Sequence, residues 1–379
     1  MRLRTIALRV FLTLLVAVFA YFALSPTGRY LVRAAWEEGR ILAHRHPIAA
    51  LVADSATAPT VRAKLRIVLA ARAFAAESLG LAAKQSFTTY SRLQHDTLVL
   101  VLSGAYRDRL EPVTWWFPIV GRVPYKGFFD FAAARAAAKR LDADGFDAYL
   151  RPSPAFSTLG FFNDPLLSTS LQDDSLGLAN TVIHELTHNT FYAANQAVFN
   201  ESFANFAGAR GSEQFFRSRG DTATARLAAQ RWDDEKVLGR FWDRVYHAVD
   251  SAYRAHPESV AARIAAHDTV YARARHELVA EVGPLLRTID TRYLDRARLD
   301  NATLLAQRIY LTDLDFFDDV YRFEDDDPRR AIAQVITIAK SRPDDPFGAL
   351  RDWASTHPAP AAGSTPSPGP TPAAAKPAP

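Results

Sequence analysis

The chain contains no cysteine. Disulfides, thiolate metal ligands, a cysteine nucleophile and a lipidated amino-terminal cysteine are therefore all excluded. A transition metal can be held here only by histidine and carboxylate. A cysteine-free chain also suits an oxidising compartment, where stray thiols are a hazard. A surplus of one charge is equally lacking: 45 basic residues against 41 acidic leave +4 over 379 residues. Neither a Lys/Arg-rich block nor a nucleic-acid motif occurs, so no nucleic-acid partner is expected. There is no internal repeat.

Hydrophobic residues make up 49% of the chain and charged residues 23%, an ordinary globular balance. The length allows one large domain or two smaller ones with a substantial core. Arg2, Arg4 and Arg9 precede the apolar run "VFLTLLVAVFAYFAL" at 10–24. A basic start before such a run reads as a secretory signal or a short membrane anchor. About 15 residues is marginal for a spanning helix. Val18 and Ala20 offer small residues before a cut, whereas Pro26 opposes cleavage after Ser25. The expectation is an uncleaved anchor or a cleaved signal over 1–27, with the arginines left in the cytoplasm. The remainder is then expected in the periplasm, anchored to the inner membrane or released.

Residues 28–85 read mostly as helix, "DTLVLVLSG" (96–104) as a strand, and "WWFPIVGRVPYKGFF" (115–129) as a structured loop or hairpin. Its aromatics are expected in the core. A helix over 131–146 stops at Gly145, and 147–162 is extended. Helical periodicity then covers 176–195, 200–218, 222–255, 258–290, 297–322 and 328–340. The Pro/Ala-rich segment 356–379 has too little apolar surface to form a core and should be disordered. The fold class is α+β and mainly helical, with one domain over 28–355 and a small strand region ahead of the central helices.

"HELTH" at 184–188 gives that pattern a chemistry. Residues four apart share a helix face, so His184 and His188 can bind one ion through imidazole nitrogens. Glu185 projects beside that face, where a general base belongs. Leu178, Val182, Ile183 and Leu186 are apolar neighbours, so two histidines among them need a partner. His276-Glu277-Leu278 repeats the first three letters, but Ala280 replaces the second histidine; it reads as helix surface. A catalytic zinc needs three protein ligands and an open position. Glu201 lies 13 residues after His188. Asn195 can end the first helix in a left-handed conformation, and Asn200 can N-cap the next, leaving Glu201 in its first turn. His247, His256 and His267 are the other candidates, with no spacing to recommend them.

"HELTH…NESFA" resembles the His-His-Glu zinc peptidases of the thermolysin-like group, whose third ligand sits in an Asn-Glu-x-x-Ala run. Here that run is Asn200-Glu201-Ser202-Phe203-Ala204, with a shorter gap than in thermolysin. A broader resemblance is to the bacterial predicted-aminopeptidase family. It rests on "FPIVGRVPYKGFFD" (117–130), "AFSTLGFFNDPLLS" (155–168), "VIHELTHNTFY" (182–192), "FNESFANFAG" (199–208) and "LDNATLLAQRIY" (299–310). Many members look like lipoproteins, and this cysteine-free chain departs from that.

The resemblance implies a zincin-like core, a bound Zn2+ and a peptide substrate. It also suggests an edge strand that pairs with the substrate backbone, here Ser157, Thr158, Leu159 and Gly160. Tyr310 and Tyr192 are the candidates for the donor to a tetrahedral oxyanion, with Tyr192 placed on the face of His188. The expected activity is a zinc peptidase, an aminopeptidase first. An endopeptidase, or an envelope scaffold with a structural or vestigial metal site, is the alternative.

Overall fold

The computed structural model describes residues 2–93, 99–117, 121–153 and 165–358. It begins with helices α1 (Arg2–Leu24) and α2 (Pro26–Ala43), then a short strand β1 (Arg45–Pro47) and helices α3 (Ile48–Ala53) and α4 (Pro59–Glu77). Strands β2 (Thr89–Ser91), β3 (Val99–Tyr106), β4 (Trp115–Phe117), β5 (Gly121–Val123) and β6 (Tyr125–Phe128) follow. Helix α5 (Phe131–Ala143), strand β7 (Phe146–Ser153) and strand β8 (Leu166–Leu167) complete the strand region. The rest is helical: α6 (Ser175–Thr190), α7 (Ala197–Ser218), α8 (Thr222–Arg254), α9 (Val260–Glu277), α10 (Asn301–Leu311), α11 (Leu314–Phe323), α12 (Pro328–Ser341) and α13 (Pro346–Thr356). The α+β, mainly helical expectation agrees with this.

The strands form two small three-stranded sheets and a hairpin. One sheet has the order β1-β2-β8, the other β6-β3-β7, and β4 pairs with β5. In the second sheet β3 is antiparallel to both neighbours, with Val101 opposite Arg151 of β7. The expected hairpin in 115–129 is therefore present. Helix α10 is bolted to this sheet by its first residue. Asn301 donates from Nδ2 to the Tyr106 carbonyl at 2.7 Å, and its backbone N–H donates to Asp147 at 2.9 Å.

Several expected boundaries move. Residues 28–85 include strand β1 and a break between α3 and α4, where Pro59 restarts the helix. The expected helix 258–290 ends its regular part at Glu277, passes through a π turn over Leu278–Val282, and breaks at Gly283-Pro284. The expected helix 297–322 begins only at Asn301, because the Asp300 carboxylate accepts the Thr303 N–H as an N-cap. It then splits at Asp313, which is left-handed at φ 54°. Helix α13 was not expected; Asp345 caps it, and its own Leu350 is fully buried.

Among the described residues no single helix is long and apolar enough to cross a membrane. Arg9–Leu24 and Thr27–Ala43 pass that test of length and composition only together, bent by 83°. Ser25 and Pro26 make the bend. The Ser25 hydroxyl caps α2 by accepting the Gly28 N–H, and Pro26 occupies the first turn. A β-carbon at Gly28 would lie 2.2 Å from the Tyr21 carbonyl oxygen, so only glycine permits this closeness. Along α1, Phe11, Leu14, Val16, Phe19 and Leu24 are all exposed.

Candidate metal centre

Helix α6 starts where the Asp174 carboxylate accepts the Gly177 N–H. Leu178, Val182, Ile183 and Leu186 are completely buried, which fixes the helix's rotation. That rotation leaves His184, Glu185 and His188 half-buried on the adjacent face. The helix stops at Thr190, short of the expected end at 195, and Phe191 is already extended. The Thr190 hydroxyl oxygen accepts the Ala82 N–H at 2.8 Å, tying this end to the loop after α4.

Tyr192 therefore does not share the helix face of His188, a correction to the expectation from spacing. It lies beyond the helix end, is 59% exposed, and its ring stands 6.4 Å from that of His188. Asn195 does take the left-handed conformation, at φ 61°, but in the connection rather than at the end of α6.

Asn200 has a different task from the one expected. Helix α7 begins at Ala197 with no side-chain cap, so Asn200 lies inside it and Glu201 sits past the first turn. The Asn200 amide instead holds the connecting loop. Its Oδ1 accepts the Ala193 N–H and its Nδ2 donates to the Ala193 carbonyl, both at 2.8 Å. A buried amide that satisfies both backbone groups of one residue pins the turn just before the glutamate.

The two helices then approach closely along small residues. A β-carbon on Gly208 would meet Asn180 Oδ1 at 3.0 Å, and one on Gly211 would meet Ile183 Cγ2 at 2.9 Å. Behind them Phe199, Phe203, Phe206 and Phe317 stack in the core. Each such ring, fully buried, contributes roughly 1.5–3 kcal/mol. In this antiparallel register Glu201 faces His184 and His188.

The three side chains converge on one point. The two Nε2 atoms are 3.2 Å apart. Glu201 Oε2 lies 3.3 Å from His184 Nε2 and 3.7 Å from His188 Nε2. Ligand atoms about 2.0–2.1 Å from a tetrahedral ion stand roughly 3.3 Å from one another, so this triangle has the size of one face of such a site. The His184–His188–Glu201 group is thus a possible metal-binding triad. Burial opposes charge on Glu201, but the hydrogen bonds and charges of the two imidazoles outweigh it and hold its carboxyl down at about 2. At His188 burial likewise opposes the charged form, and the bond to Glu201 overrides it, so its basicity is raised. The neighbouring charge of Glu185 adds to that effect.

Of the other candidates, Tyr310 lies at the site. It is on the last turn of α10, and its carbonyl accepts a 3.0 Å bond from Nδ2 of Asn205, one turn along α7 from Glu201. Burial, and then the Glu201 charge, push its phenol above the ordinary value. His247 is exposed on α8, and His256 is exposed in the loop between α8 and α9. His267 belongs to another network, with Nε2 2.9 Å from Asp147 and Nδ1 2.8 Å from Asp268. Ser157, Thr158, Leu159 and Gly160 lie outside the described residues. His276 is exposed and Glu277 pairs with Arg244, as on a helix surface, whereas Leu278 is buried in the core.

Two neighbours escaped the sequence reading. Tyr125, at the start of β6, is 45% exposed rather than core. Its phenol is raised by burial first and then by the Glu201 charge. Arg151 of β7 donates from Nη2 to the Tyr310 hydroxyl at 3.4 Å. Arg151 lies in no quoted motif, and Tyr125 lies in the block 117–130 without a role assigned to it; α10, packed on both α7 and β7, connects this region to the site.

Searches of curated proteins and of solved structures find no match. A family model described as "Putative aminopeptidase" matches residues 29–346, which include every residue of the triad. The chain therefore belongs to this putative aminopeptidase family.

Proposed function

We propose that this protein is a zinc-dependent peptidase with a zincin-like site, removing residues from the amino-terminal end of peptides. The observation that carries the reading is the convergence of His184 Nε2, His188 Nε2 and Glu201 Oε2 at 3.2–3.7 Å. Two imidazoles and a carboxylate, with no sulfur, suit zinc held by three ligands and left one open position. Family membership supports peptides as the substrate class.

When bound, the ion supplies a Lewis acid that polarises a peptide carbonyl and makes a water molecule more acidic. Glu185 takes the proton from the attacking water and passes it to the departing amine nitrogen. Its place on α6, next to His184 yet off the ligand face, suits that shuttle. Tyr310, whose raised phenol stays protonated at neutral pH, donates its O–H to the developing oxyanion.

The full chain should bind one zinc per molecule. Elemental analysis after detergent purification checks this, and no stoichiometric metal even after reconstitution would sink the proposal. A profile of products from a peptide library should show single amino-terminal residues; internal cuts would make it an endopeptidase.

The exposed apolar side chains of α1, next to three arginines, support anchoring to the inner membrane with the catalytic region outside the cytoplasm. A reporter enzyme that works only after export should be active when fused after residue 355. If only a cytoplasm-dependent reporter works at that junction, the proposed topology is wrong.

A further inference from the structure

Half-buried arginines in this protein are mostly answered by carboxylates or, as at Arg72 and Arg275, by backbone carbonyls. Arg210 meets Asp318 at 2.8 Å, Arg263 meets Asp108 at 3.0 Å, and Arg308 meets Asp243 at 2.6 Å. Arg151 is different. It is half-buried, yet among the described residues no carboxylate lies within ion-pair distance of it. Its hydrogen-bond partner is the neutral Tyr310 hydroxyl at 3.4 Å, long for such a bond. The guanidinium also stands 5.8 Å from the centre of the Tyr310 ring. A guanidinium fork is built to take a carboxylate through two parallel bonds, and among the described residues most of its donors have no partner.

Its surroundings say where the missing anion would come from. Arg151 is carried by β7, held in register against Val101 of β3, so its position is set by the sheet. Tyr125 and Tyr310 each feel both the Glu201 carboxylate and the Arg151 guanidinium. Tyr310, bonded to Arg151 through its hydroxyl and to Asn205 of α7 through its carbonyl, links the arginine to the helix that carries Glu201. A substrate's amino-terminal ammonium would be repelled by Arg151. An arginine there suits the leaving fragment, beyond the bond that is cut.

We propose that Arg151 is a specificity-determining residue that binds a carboxylate on the leaving fragment, so that the preferred substrates are short or acidic peptides. The carboxylate is either the free chain terminus of a dipeptide or tripeptide, or an Asp or Glu side chain. This assignment rests on the peptidase reading above.

The test compares three peptides on the zinc-loaded full chain: trialanine, trialanine amide, and the amide of Ala-Glu-Ala. The wild type should prefer a carboxylate-bearing peptide over trialanine amide by roughly 10- to 100-fold in kcat/KM, the range of a charge-assisted pair. Preference for trialanine identifies the chain terminus; preference for the Ala-Glu-Ala amide identifies the side chain. Arg151→Ala should level that ratio through KM, and Arg151→Lys should restore part of it by returning the charge without the fork. Equal treatment of all three peptides by the wild type overturns the assignment. So does a uniform loss in Arg151→Ala that appears in kcat.

Binding gives a second readout that does not need turnover. Calorimetric titration of Glu185→Gln protein should show the same preference for a carboxylate-bearing peptide, and adding Arg151→Ala should remove it. Equal binding of all three peptides overturns the assignment. If the wild type cleaves nothing but this binding preference is present, the peptidase reading fails while the carboxylate site stands.

Discussion

Glu185→Gln should cut peptide hydrolysis by roughly 10²- to 10⁴-fold while zinc content and thermal midpoint stay close to wild type. The expectation follows from where α6 puts the side chain. Buried Leu178, Val182, Ile183 and Leu186 fix the helix's rotation, and that rotation gives His184 and His188 to the ligand face. Glu185 is one residue further round, beside them. Glutamine keeps the volume and the hydrogen bonding of glutamate but has no basic oxygen at neutral pH. Metal binding, which needs the three convergent atoms, should survive; proton transfer should not. Both quantities can be read from one preparation, metal by elemental analysis and rate by release of amino-terminal residues. A variant that loses its zinc would make Glu185 a ligand or a prop for one. A variant that keeps its kcat would remove it from the chemistry altogether.

The site was legible in the sequence to the extent that its residues lie close along the chain. His184, Glu185 and His188 share one helix, so helical periodicity alone sets their relation. Glu201 was within reach because a short connection forces the next helix to double back. How that connection is held was not legible. Asn200 looked like an N-cap from its position, whereas it hydrogen-bonds Ala193 from within α7. The difference is tertiary: the amide found a buried backbone partner instead of its own helix's N–H groups.

Tyr192 was misplaced for a related reason. Spacing of four is meaningful only while the helix continues, and Thr190 ends it by anchoring to the Ala82 backbone, more than a hundred residues earlier. Arg151 and Tyr125 come from strands that meet the site only through α10 and the second sheet. The block 117–130 that contains Tyr125 was recognised, but neither its sequence nor that around Arg151 states which site they reach. Among the long helices, the breaks at Gly283-Pro284 and Asp313 punctuate periodic apolar patterns that read as continuous. The fold class survived these errors because it depends on the sum of patterns rather than on any boundary.

Glu201→Ala should lose both metal and activity, and His188→Ala should behave the same way. Removing either leaves only two of the three atoms that converge at 3.2–3.7 Å. Hydrolysis should therefore fall at least as far as in Glu185→Gln, but with zinc occupancy falling alongside it. The metal-free proteins carry a further signature. Against the opposing effect of burial, Glu201 is held at about 2 by its bonds to His184 and then His188, and His188 is raised by Glu201. The depressed Glu201 contributes stability above its unfolded value of 4.5, lost as pH falls towards 2. The raised His188 contributes stability below its unfolded value of 6.5, lost as pH rises through its folded value. Their pairing is thus fully present between those two unfolded values. Without metal, Glu201→Ala should lower the thermal midpoint more at pH 5.5 than at pH 9. Zinc must displace the proton on His188, so the wild type's zinc affinity should also weaken as pH falls through that range. If Glu201→Ala keeps both its zinc and its rate, Glu201 is not the third ligand, and the triangle of atoms at the α6–α7 junction is an ion pair and nothing more.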